Sequence, residues 1–154
     1  MMKKSSILSV VVMFFFLQNF SQETERVLPI IPKPTELILL KGNFKLSSTT
    51  QIVIQNETSC KNEAELLNTY LQKHYGFKLS IVAKPNTNHN YIEFKNADWQ
   101  ANAKEHYELD INEQKISILA VANCAGNFYA LQTLIQTLPI ASKQLLLLPC
   151  LHIK

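Results

Sequence analysis

Glu108 and Asp110 are the first residues in this chain whose types and spacing could do chemistry. Two carboxylates on one surface can act as general acid and base, or as acid and nucleophile, in hydrolysis. Residues 106–111 alternate in polarity, with Tyr107, Leu109 and Ile111 on one face, so the two carboxylates share the other. That pattern equally describes the solvated face of a half-buried strand, and nothing beside the pair argues for more. Glu63 and Glu65 fall at the start of a helical segment, where the helix dipole favours acidic residues without catalysis. The histidines, His74, His89, His106 and His152, lack the three-to-five-residue spacing of a zinc site. Lys104-Glu105-His106 has no second histidine to complete a metalloprotease motif. No metal or cofactor is expected. Three glycines, Gly42, Gly76 and Gly126, are too dispersed for a phosphate loop. Gly126 opens a helix and could in principle face an anion, but a tight turn is the simpler account. Tyr91, Phe94 and Trp99 are candidates for a sugar-stacking platform; the alternation of Phe94 with Ile92 argues that they do not share a surface. No catalytic, cofactor-binding or metal-binding residue is therefore assigned.

The elements that must position these residues follow from periodicity. Residues 36–41 read as a strand, Gly42-Asn43 as a tight turn and 44–46 as its partner. Residues 51–55 form a third strand, rich in β-branched side chains. Ser59 can cap a helix over 60–75 that Gly76 ends, with a stripe of Ala64, Leu67, Tyr70, Leu71 and His74. Strands are expected at 77–83 and 91–95. The clearest hairpin is 106–111 with 115–121, turning at Asn112-Glu113-Gln114. A helix over 123–138 follows, with Phe128, Leu131, Leu134, Ile135 and Leu138 as its apolar stripe. A last apolar stretch, 144–153, is broken by Pro149. The order β-β-β-α-β-β-β-β-α-β predicts an α+β two-layer sandwich, a mostly antiparallel sheet with both amphipathic helices on one face.

The N-terminus reads as a targeting signal. Lys3 and Lys4 precede eleven residues, 7–17, that are apolar apart from Ser9, too few for a bilayer span of about 20. Cleavage is expected after Ser21 or Gln22, giving a signal peptide of 1–22 and one domain over 23–154; the rival reading is an uncleaved anchor. Loss of Lys3 and Lys4 leaves thirteen basic against twelve acidic residues. The basic residues are scattered, so nucleic acid is excluded as a partner. Export, to the periplasm or beyond the cell, permits disulfides, yet Cys60, Cys124 and Cys150 leave one thiol over, and whether any pair forms stays open. Stable membrane insertion is not expected. Asn56-Glu57-Thr58 is a glycosylation sequon, meaningful only in a eukaryotic secretory route.

The second helix carries the most specific wording: Gly126-Asn127-Phe128-Tyr129-Ala130-Leu131-Gln132-Thr133-Leu134-Ile135-Gln136-Thr137-Leu138. It resembles the G-x-F-Y-G/A-L-Q-T-L-x-Q-L helix of the N-terminal domain of family 20 glycoside hydrolases, the β-N-acetylhexosaminidases. Ile30-Ile31-Pro32-Lys33-Pro34 resembles that domain's opening I-P-x-P. The resemblance implies a zincin-like sandwich without zinc, non-catalytic, preceding a barrel that removes terminal N-acetylhexosamine. In that family the barrel holds an Asp-Glu pair, and its first strand carries a D-x-P-R-F stretch. No position here matches either, so no catalytic residue is carried over and the chain is expected to be truncated before the barrel and inactive alone.

The resemblance also implies a partner. Leu145 to Leu148 and Leu151 to Ile153 are too apolar for a free terminus, so an exposed apolar end is expected, against which the catalytic barrel packs. The alternative is a freestanding exported module that binds a glycan or a protein.

Overall fold

The structure, a computed structural model, describes residues 28–54, 60–100, 103–123, 125–140 and 145–154. The leader, the Asn56 sequon, Ser59 and Cys124 lie outside the described residues. The elements run β1 (Leu37–Leu46), β2 (Gln51–Ile54), α1 (Lys61–Tyr75), β3 (Ser80–Val82), β4 (Tyr91–Asn96), β5 (Tyr107–Ile111), β6 (Lys115–Ala120), α2 (Ala125–Thr137) and β7 (Leu146–Ile153). The strands form one sheet in the order β1-β7-β5-β6-β4-β2-β3. Helix α2 packs on β5 and β6, and α1 lies against α2. Together they enclose a single apolar core. The α+β sandwich is therefore the observed class.

The sheet is mixed. β1, β7, β5 and β6 pair antiparallel, whereas β6, β4, β2 and β3 pair parallel. Antiparallel pairing thus holds for one half only, because β2 returns to β3 through α1, and a helical crossover brings the next strand back parallel. The expected turn at Gly42-Asn43 is instead a bulge inside one strand. β1 continues through it, with Gly42 at φ 101 and a register shift against β7 between Leu39 and Asn43. Glu113 sits where a β-carbon on Gly42 would project.

The expected apolar C-terminal end is also redistributed. As β7 it inserts between β1 and β5, and Leu146, Leu148, Leu151 and Ile153 are buried in the core. Only Leu145 and Leu147 of that stretch are exposed.

Both helices present a slightly different face from the expected one. On α1, Ala64, Leu67 and Leu71 are buried as predicted, but Asn68 joins them and His74 is exposed, stacked on Tyr70 at 4.3 Å between ring centres. Asn68 is buried because it completes a strand end. Its Nδ2 donates to Leu79 O (3.0 Å), and its Oδ1 accepts from Leu79 N–H (2.7 Å). Gly76 closes α1 at φ 81, donating to the carbonyls of Leu71 and Gln72. On α2, Leu131 and Leu134 are buried, Leu138 is buried just beyond it, and Phe128 is exposed. Ala130, Thr133 and Thr137 take the inward positions that an all-apolar stripe would not assign.

Candidate functional site

The sheet face opposite the helices carries the charged side chains. Strand register decides what each one meets. Asp110 stands beside His152 of β7, and Asp110 Oδ1 lies 2.7 Å from His152 Nδ1. Glu108 Oε1 lies 2.7 Å from Lys154 Nζ, and this hydrogen bond holds the lysine above its ordinary pKa. On the far side, Glu93 takes Lys115 at 2.8 Å and Lys95 at 2.9 Å. Burial pushes Glu93 up, but the bonds from Lys115 and Lys95 outweigh it and hold the carboxyl below its ordinary range.

Glu108 and Asp110 do share a face, as the alternation requires. Each is already paired within the domain, Asp110 with His152 of β7 and Glu108 with Lys154 just beyond it. Ser117 lies across from Asp110 on β6, with His152 on the opposite flank. A serine nucleophile needs the imidazole next to it, and here the aspartate stands between them. Among the described residues no group of three metal-ligating side chains forms. Cys150 is a buried free thiol whose pKa is raised, first by burial and then by Glu113, the reverse of an activated nucleophile.

Gly126 is not an anion cradle. Its N–H donates to Lys104 O at 3.0 Å, and His106 O presses so close that a β-carbon on residue 126 would run into it. The glycine serves this backbone contact, which ties the 103–106 loop to the start of α2. Phe94 is buried, Tyr91 lies under Lys115 Nζ at 5.7 Å, and Trp99 faces elsewhere, so the three do not form one platform.

What the structure adds is a cleft of about 550 Å³ at the sheet end where β5 starts and β7 finishes. One wall is the segment 32–35, which follows the cis Ile31–Pro32 bond and begins next to a clamp from α2: Gln136 Oε1 accepts from Ile31 N–H (2.8 Å), and its Nε2 donates to Ile31 O (3.1 Å). The other wall carries Trp99, Glu105, His106 and Tyr107, with Glu108 and Lys154 also lining the space. Tyr107 is fixed from behind, its hydroxyl 2.7 Å from Thr133 Oγ1 on α2. The fixed Pro32-x-Pro34 segment and the lone tryptophan were visible in the sequence. Their convergence depends on β7 lying between β1 and β5, which no local pattern announces.

The sequence matches the family description Glycosyl hydrolase family 20, domain 2, over residues 27–154. The chain belongs to this family. The family 20 domain is similar in fold to a part of several solved enzymes. One is the exo-β-N-acetylglucosaminidase of Vibrio harveyi in complex with N-acetylglucosamine, at 24% identity and TM-score 0.66, covering 82% of this chain and 18% of that one. A second is the N-acetyl-β-hexosaminidase of Streptomyces plicatus, at 23% identity and TM-score 0.69, covering 80% and 25%. A third is the β-N-acetylhexosaminidase of Bacteroides fragilis, at 20% identity and TM-score 0.60, covering 80% and 24%. The chain thus spans a quarter or less of each of these enzymes. No curated protein matches it by sequence. The residues that carry the family wording in α2 are architectural: Gly126 admits the loop, Thr133 holds Tyr107, and Gln136 holds Ile31.

Proposed function

We propose that this domain is the non-catalytic N-terminal part of an exported β-N-acetylhexosaminidase. Removal of the terminal N-acetylhexosamine would be carried out by a catalytic barrel outside these residues. The match to domain 2 over 27–154 carries the reading. The chemistry of the domain supports it, since the carboxylates Glu93, Glu108 and Asp110 are each paired with a lysine or histidine side chain. Export to the periplasm or beyond rests on Lys3, Lys4 and the apolar stretch 7–17. Among the described residues no helix is long and apolar enough to cross a membrane.

Packing of a barrel is supported by apolar side chains at the surface. Leu145 and Leu147 remain from the C-terminal segment, and Leu37 to Leu40 on β1 add to them. The domain alone is inactive in this reading. The test is to sequence the DNA immediately past codon 154 and to assay the 154-residue chain on a chromogenic N-acetyl-β-glucosaminide. A continuation reading like D-x-P-R-F, with hydrolysis only by the longer product, is the expected result. Turnover by the 154-residue chain itself would overturn the reading. A stop codon with no barrel sequence nearby would favour the alternative, a freestanding exported binding module, for which the Trp99 cleft is the supporting observation.

A further inference from the structure

We infer that the cleft walled by Pro32, Pro34, Trp99 and Tyr107 binds a neutral saccharide. Three observations carry this. The first is polar capacity left unused. Among the described residues, the indole N–H of Trp99, the imidazole of His106, the carboxylate of Glu105 and the ammonium of Lys33 have no hydrogen-bond or ion-pair partner in the protein. The Trp99 side chain is half-buried, and its N–H is solvent-accessible and so open to a ligand. Further along the sheet, Glu93 is matched to Lys95 and Lys115, and Asp110 to His152. Glu108 and Lys154 bond once to each other and keep further acceptor and donor capacity facing the cleft.

The second is charge. Lys33 and Lys154 are offset by Glu105 and Glu108, so the lysine and carboxylate side chains of the lining balance. A phosphate or polyanion would gain nothing from that balance, whereas a polyhydroxyl ligand can donate to the carboxylates and accept from the ammonium and indole groups. The third is shape. The lining is predominantly apolar: two proline rings, an indole and a phenol whose position Thr133 fixes. A pyranose has a flat C–H face for such rings and hydroxyls at its rim for the polar groups. The volume of about 550 Å³ lies within the range of small-molecule sites, about 300–1,000 Å³.

The saccharide class rests on the cleft; the choice of an amino sugar as probe rests on the function proposed above. Trp99 is the only tryptophan, so intrinsic tryptophan fluorescence of the full chain reports on this cleft alone. Titration with chitotetraose is expected to give a saturable change in emission. Glu105→Gln, an exposed position whose loss does not threaten folding, is expected to weaken binding about tenfold, the worth of one charge-assisted hydrogen bond. Trp99→Ala, followed by calorimetry with its fold checked by circular dichroism, is expected to abolish binding. Glu63→Gln, on α1 and outside the cleft, is expected to change nothing. No saturable change, or one that Glu105→Gln and Trp99→Ala leave intact, overturns the inference while leaving the hydrolase reading to its own assay. Cellotetraose binding as tightly, with the same sensitivity to both variants, supports the cleft and counts against the amino-sugar parent.

Discussion

Gly126 shows how one residue can carry a family's wording for a reason that the wording does not state. The sequence suggests a turn that needs a residue without a side chain. In the structure its φ is not in the left-handed region; what excludes a β-carbon is the carbonyl of His106, with Ala120 Cβ a further 3.1 Å contact. A backbone oxygen cannot swing aside as a side chain does. Gly126→Ala is therefore expected to lower stability by about 1–3 kcal/mol, the usual toll of overpacking, read as a fall in the thermal midpoint. An unchanged midpoint would mean that the 103–106 loop moves freely away from α2. Asn68 makes a complementary case. Both of its bonds go to backbone groups of Leu79, so Asn68→Ala strands a buried N–H and a buried C=O together. A loss of about 3 kcal/mol in chemical denaturation is expected; a loss under about 1 kcal/mol would show that water reaches Leu79. A helical-wheel reading places Asn68 next to the apolar stripe but gives no sign of its partner, because Leu79 is eleven residues away, beyond the turn at Gly76.

At the scale of elements, legibility followed the range of the contacts. The β5–β6 hairpin was plain, since alternation and a three-residue turn set Leu109 opposite Ile118 and Ile111 opposite Ile116. The shared face of Glu108 and Asp110 came with it, but their partners Lys154 and His152 did not, because β7 arrives from the far end of the chain. The same distant strand explains the misreading at Gly42-Asn43. A glycine-asparagine pair suits a turn or a bulge equally, and pairing with β7 on both sides decides for the bulge. The parallel half of the sheet also rests on non-local pairing, and there β4 and β6 are joined by charge as well as by backbone. Glu93 on β4 and Lys115 on β6 favour their charged forms: the carboxyl is lowered, and the ammonium is raised chiefly by the hydrogen bond it donates to Glu93. A lowered carboxyl contributes stability above its ordinary value of 4.5 and loses it as pH falls toward the lower folded value. A raised lysine contributes below 10.5 and loses it as pH climbs through the higher folded value. Urea unfolding across pH is expected to show a plateau between these limits. Glu93→Gln should lower the plateau and flatten its acid limb. An acid limb of unchanged slope would place that pH dependence on other carboxylates.

For the whole molecule, the two ends of the sheet pose unequal risks. An edge strand presents unpaired N–H and C=O groups that can template a second chain, and proteins blunt such edges by shortness or charge. β3, at one edge, has three residues and little room for pairing. β1, at the other, has ten, and its first four, Leu37, Ile38, Leu39 and Leu40, are all at least 36% exposed. Composition places the apolar excess at the C-terminus, and the fold moves it. β7 enters the core, and the strand it pairs with is left outermost. The sticky region of the isolated domain is therefore β1 before its bulge, where the strand is apolar and exposed, and the bulge at Gly42 interrupts the rest. Light scattering over a concentration series is expected to show the average mass of the isolated domain rising with concentration. The double variant Ile38→Lys, Leu40→Lys, which puts charge on that edge without touching a buried residue, is expected to keep the domain monomeric at every concentration. Association that persists in the variant would shift the contact to Leu145 and Leu147, and a native chain that stays monomeric throughout would show that the twist of β1 is enough to protect its edge.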